Sequence, residues 1–125
     1  VLLKAEINFL TNYLALEQLY SKRIRYSVSA EGEVDRTFVP PLLFIPFVQQ
    51  AVVHVYGQDT FTAIDLQFRV ENSRIHFVCS FDNGNLPDQN DFSSIRQRLE
   101  LLYGDNYSLS ISKRIIMLKL NMLKL

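Results

Sequence analysis

Few side chains in this sequence are able to do chemistry. Two histidines, His54 and His76, and one cysteine, Cys79, fall on a predicted helix and a predicted strand. They form no Ser/His/Asp or Cys/His set with usable spacing, and no cluster able to hold a metal ion. The stretch from Pro40 to His54 is the most suggestive, because Gln49, Gln50 and His54 interrupt an otherwise apolar run. A glutamine keeps an amide oxygen that can meet a cation, but it has no negative charge and no proton to trade, so Gln49 offers no general-base help. The triplet Asp82-Asn83-Gly84 is the other polar feature. It is compatible with simple turn chemistry. His76 alternates within its strand and reads as a solvent-facing residue. Cys79 reads as a small buried one.

The bulk properties fit one domain. A chain of 125 residues is long enough to bury a real core. Its 13 basic and 13 acidic residues cancel, which favours neither nucleic acid nor an anionic membrane as partner. A lone cysteine permits no disulfide within the chain and fits a reducing compartment. No apolar run approaches the roughly 18–20 residues needed to cross a bilayer, and no signal peptide is visible. The sequence begins at Val1, without Met and inside a helical pattern. It is therefore expected to be part of a longer protein, with any membrane segment upstream.

Periodicity supplies the elements that must position these residues. Leu2 to Tyr20 predicts a helix with two apolar stripes. Leu3, Ile7, Leu10 and Leu14 form one, and Phe9, Tyr13, Leu16 and Tyr20 the other, about 120° away. Either the second stripe is covered by a partner helix, or the two merge into one broad buried face. Lys22 to Ala30 alternates as a half-buried strand. Thr37 to Val39 is expected to be extended, because Pro40 and Pro41 disfavour helix before them. Pro46 suits a first helical turn, and that helix runs to about Tyr56 and stops at Gly57. Phe61 to Val70 and Arg74 to Phe81 predict a hairpin. A helix follows from Ser93 or Ser94, with capping-box spacing between Ser94 and Gln97 and an end at Gly104. Tyr107 to Ile111 and Arg114 to Leu120 predict a last hairpin. The tail repeats Met-Leu-Lys-Leu at 117–120 and 122–125, lengthening an edge strand or packing on a neighbour. The expected fold class is α/β: a two-layer sandwich with a mixed, mostly antiparallel sheet and helices on one face.

Three segments carry a family resemblance. Ile7-Asn8-Phe9-Leu10-Thr11-Asn12-Tyr13-Leu14-Ala15-Leu16-Glu17 resembles the "EL.FL..YL.LE" helix of LytS-type sensor histidine kinases. Val39 to His54 resembles their "PPLLLQPLVENAIKHG" segment. Ile95-Arg96-Gln97-Arg98-Leu99-Glu100-Leu101-Leu102-Tyr103-Gly104 resembles "NVRxRLELLYG". The resemblance spans nearly the whole chain. It implies that residues 1–21 end the dimerisation and phosphoacceptor-region helix and that 22–125 form a histidine-kinase-like (GHKL) ATPase domain. It implies Mg–ATP as cofactor and a two-component phosphorelay as context. It further implies a response regulator as partner, a homodimer through the N-terminal helix, and a cytoplasmic position in an inner-membrane sensor.

The same resemblance marks departures where nucleotide would be touched. The family Glu stands at Gln49, and the family Asn that ligates magnesium at Gln50. The extra methylene of Gln50 displaces its oxygen by ~1.5 Å, in a site that demands near-ideal octahedral geometry. His54 matches a family His, although a helix histidine needs no task. Asp82 and Gly84 match the "DNG" whose Asp accepts from adenine, or they serve the turn alone. The glycine-rich phosphate box is replaced by Gln89-Asn90-Asp91-Phe92. There Asp91 would set a like charge beside phosphate, at about 1–4 kcal/mol for ~4 Å separation. The "GxGT" turn is replaced by Ser112-Lys113-Arg114. The motif that carries the phosphoacceptor histidine is not in the chain. The sequence thus predicts a degenerate domain with weak or no ATP binding, acting by dimerisation or regulator docking. An active Mg–ATP-dependent histidine kinase domain is the alternative.

Overall fold

The computed structural model describes residues 1–56, 60–83, 86 and 92–122. The expected helix stop at Gly57, the turn glycine Gly84, the Gln89–Asp91 segment and the last three residues of the repeated tail lie outside them.

The first helix, α1 (Leu3–Tyr20), is followed by strand β1 (Ile24–Glu31) and helix α2 (Ile45–Tyr56). The hairpin β2 (Thr62–Glu71) and β3 (Arg74–Phe81) comes next. Helix α3 (Ser93–Tyr103) then leads to a second hairpin, β4 (Tyr107–Ile111) and β5 (Ile115–Asn121). The strands form one sheet in the order β1-β2-β3-β5-β4. β1 and β2 are parallel, and the other neighbours are antiparallel. A parallel pair needs a crossover, and α2 supplies it. This is the expected mixed sheet with helices on one face.

Alternation decides which face is covered. Ile64, Leu66 and Phe68 on β2 and Ile75, Phe77, Cys79 and Phe81 on β3 point into the core, with Ile116, Leu118 and Leu120 of β5. Asn72 and Ser73, at φ 51° and 61°, form the two-residue turn between β2 and β3, and this left-handed pair matches strand twist. Five phenylalanines, Phe44, Phe47, Phe68, Phe77 and Phe92, are all buried at the centre. Burying each contributes about 1.5–3 kcal/mol relative to leaving it in water. Phe44 meets Phe68 edge-on at 5.2 Å and Phe77 at 5.0 Å.

The two stripes of α1 have different fates. Leu3, Ile7, Leu10 and Leu14 are buried in the same core as α2 and the sheet. Packing therefore runs without a break across residue 21, where the sequence division falls. Of the second stripe, Tyr13 is half-buried, while Phe9, Leu16 and Tyr20 remain 45%, 57% and 84% exposed. Thr37 to Val39 is extended as expected, and it pairs with the first residues through a Leu2–Phe38 bridge.

The start of α3 corrects the capping-box expectation. Phe92 occupies the N-cap position, no side chain caps the helix, and Ser94 lies inside it. The Phe92 ring is instead buried and stacks on Phe47 at 6.4 Å, so packing fixes the helix start. Gly104 ends the helix at φ 57°, as predicted, and its N–H donates to Glu100 O. Gly32, at φ 88°, follows β1 so closely packed that a Cβ there would lie 2.1 Å from Val70 O.

Candidate functional site

Helix α2 turns Phe47, Val48, Ala51, Val52 and Val55 into the core. Its remaining face is left with Pro46, Gln49, Gln50 and Val53, at the i, i+3 and i+4 spacing that shares one side of a helix. These four residues, with Tyr13 from α1 and Ser94 and Ile95 from α3, line an open groove of about 490 Å³. Among the described residues, no side chain fills the space between α2 and α3, and its size is within the range of small-molecule sites. The described lining holds two neutral amides, a phenol and a hydroxyl, and no carboxylate. Burial, and then the neighbouring Glu17 carboxylate, push the Tyr13 phenol above its usual pKa.

His54 and Asp82 are placed elsewhere. The His54 ring packs on Phe81 at 4.9 Å between centroids, and its Nε2 lies 3.2 Å from the Asn83 carbonyl oxygen. Nε2–H is the donor in that pairing. Asp82 is exposed just beyond β3, and its Oδ1 accepts from the Ala63 N–H at 2.8 Å. The amide of Asn83 donates to the Thr60 hydroxyl. Asp82, Asn83 and His54 therefore tie the end of β3 to β2 and to α2. The groove joins Gln49 and Gln50. Neither His54 nor Asp82 is among its described lining residues. Among the described residues, no three His, Cys, Asp or Glu side chains gather closely enough to hold a metal ion.

The turn that launches α2 shows a device that the sequence reading missed. Leu42 has φ 58°, a conformation costing a non-glycine residue roughly 1–2 kcal/mol. Its N–H donates to Glu6 Oε1 at 2.6 Å. Arg98 donates through Nη1 to Leu42 O at 3.0 Å and through Nη2 to Pro41 O at 2.7 Å. Glu6 is only 5% exposed, and its second oxygen has no partner among the described residues. The available signal was an acidic residue set beside the buried stripe between Leu3 and Ile7.

No protein-family model and no curated protein matches the chain. Solved structures do. The catalytic domain of the histidine kinase ThkA, determined nucleotide-free, matches with a TM-score of 0.67 at 12% identity, over 95% of this chain and 92% of that one. The fold is that of a histidine-kinase catalytic domain. The blue-light-activated histidine kinase EL346 of Erythrobacter litoralis gives 0.68 at 17% identity, over 98% of this chain and 46% of that one. Acinetobacter baumannii AdeS, also a histidine kinase, gives 0.66 at 9% identity, over 97% of this chain and 65% of that one. ThkA has additionally been solved in complex with the response regulator TrrA. Within this histidine-kinase fold, the groove beside Gln49 and Gln50 lies on the α2 helix singled out in the sequence.

Proposed function

We propose that this chain is a LytS-like histidine-kinase domain that keeps the scaffold and has lost most of its nucleotide chemistry. It acts in a two-component phosphorelay, on the cytoplasmic side of an inner-membrane sensor, as a dimerising and regulator-docking module. The observation that carries this reading is the groove lining. Two neutral amides, Gln49 and Gln50, line it, and the family resemblance sets them at positions where cation and γ-phosphate chemistry needs a carboxylate and a shorter amide. The residues present fit a magnesium triphosphate poorly.

Two further observations bear on partners. The exposed Phe9, Leu16 and Tyr20 stripe of α1 suits a second copy of the chain. The ThkA–TrrA complex supports a response regulator as the docking partner of a domain with this fold. A second reading, an active Mg–ATP-dependent kinase domain, is favoured by the open volume of about 490 Å³ beside Gln50. Thermal unfolding with and without millimolar Mg–ATP separates the two. A ligand at 100 times its Kd stabilises by about 2.7 kcal/mol. We expect no shift, and a shift of that size would show that Mg–ATP binds and overturn the loss of nucleotide chemistry proposed here.

A further inference from the structure

The sheet face turned away from the helices carries a row of basic residues in register. His76 on β3 stands opposite Arg69 on β2 and opposite Lys119 on β5. Ser108 on β4 stands opposite Lys119. Neighbouring strands lie about 4.8 Å apart, so these four side chains occupy a strip roughly 15 Å long. Arg69 and Lys119, the two permanent cations, thus flank the His76 imidazole from both neighbouring strands, and like charges brought close in a sheet are unfavourable. The acidic neighbours sit at one end. Glu31 faces Arg69 from β1, and Glu71 Oε2 lies 3.7 Å from Arg69 Nε. The Lys119 ammonium, at the other end, has no hydrogen bond or ion pair among the described residues. Arg69, His76 and Lys119 border a concavity of about 480 Å³, which Val78, Met117 and, at the Arg69 end, the Glu31 carboxylate also line.

We propose that this concavity binds a small organic phosphate ester, its oxyanion seated between His76 and Lys119 and its apolar part on Val78 and Met117. The volume is that of a small-molecule site, and a compact oxyanion matches donors converging from adjacent strands. The site is on the opposite side of the sheet from the Gln49–Gln50 groove and stands independently of the function proposed for that groove. Burial, then Arg69 and Lys119, lower the pKa of His76, with Arg74 adding to them and Glu71 opposing. Glu31 faces the same row from β1. A bound dianion opposes this balance and raises the His76 pKa.

The test is an NMR titration at constant ionic strength, using inorganic phosphate, phenyl phosphate and chloride in parallel. Saturable shifts at His76 and along β3 and β5 are expected with both phosphates, with a raised His76 pKa. Phenyl phosphate should bind more tightly than inorganic phosphate. Lys119→Ala should weaken phosphate binding about tenfold or more, and Lys119→Gln provides the same comparison if the alanine variant fails to fold. Shifts that do not saturate, or that chloride reproduces, would overturn the proposal. So would equal affinity for the two phosphates, unchanged binding in both Lys119 variants, or saturation by an acidic peptide but not by phosphate.

Discussion

Glu6 on α1 and Arg98 on α3 grip the two sides of one residue, Leu42. The carboxylate accepts from its N–H and the guanidinium donates to its carbonyl. The left-handed backbone at Leu42 is thereby held from two separate helices, directly ahead of the helix that carries Gln49 and Gln50. Arg98→Ala should lower unfolding stability by about 1–2 kcal/mol, since two charge-assisted hydrogen bonds are lost at a partly exposed site. Arg98→Lys should recover only part of this, because an ammonium cannot span both carbonyls as a planar fork does. Urea denaturation of the two variants checks the order.

Gly32→Ala should cost more than about 2 kcal/mol. The added Cβ would fall 2.1 Å from a backbone oxygen, Val70 O, and no side-chain rotation can relieve that contact. Gly104→Ala tests the contrast. It shares the positive φ but has nothing within 4 Å of its Cβ position, so its cost comes from backbone strain alone, about 1–3 kcal/mol, and should be the smaller of the two. Equal losses in thermal melts of the two variants would remove steric crowding as the explanation.

Burial pushes the Cys79 thiol up from 9.0 to about 12. Iodoacetamide at pH 8 should therefore leave the native protein unmodified and alkylate it fully after denaturation, as read by mass spectrometry. The same shift sets a direction with pH. The unfolded thiol loses its proton near 9.0 and the folded one only near 12. This contribution to stability is thus intact below about pH 9 and is lost as pH rises through that interval.

The exposed stripe of α1 predicts self-association. Leu16→Glu should shift sedimentation toward monomer while leaving the melting temperature within about 2 °C, because Leu16 is 57% exposed in the single chain. Leu14→Glu should instead unfold the chain, since Leu14 is fully buried.

The double substitution Gln49→Glu with Gln50→Asn puts in the groove the two residue types that the sequence resemblance implies there. Calorimetry should still find no tight Mg–ATP binding, because the glycine-rich phosphate box remains replaced in the sequence. Clear binding by this variant would place the whole defect in the two glutamines.

Much of the architecture was legible because alternation and turn residues act locally. The β2–β3 hairpin, the end of α3 at Gly104 and the buried face of α1 all follow from patterns read within a few residues. The start of α3 was not legible in the same way. Ser94 and Gln97 have the spacing of a cap, but the ring of Phe92 gains more by stacking on Phe47, a partner 45 positions away. At the groove, the placing of Gln49 and Gln50 on one helix face was readable from their spacing. The bond from Asp82 to Ala63 was not, because it depends on where two strands end relative to each other. The grip on Leu42 was hidden for the same reason, since Glu6 and Arg98 meet it from 36 and 56 residues away.

The parallel pairing of β1 with β2 has a consequence for how the chain acquires its shape. Each hairpin can zip up from its own turn, whereas Ser27 must wait for Asp65, 38 residues later. During synthesis β1 leaves the ribosome before the partner for its backbone exists. At the slower end of ribosomal speed, that interval lasts several seconds. Over that time Tyr26 and Val28 are open to chaperones or to a neighbouring nascent chain.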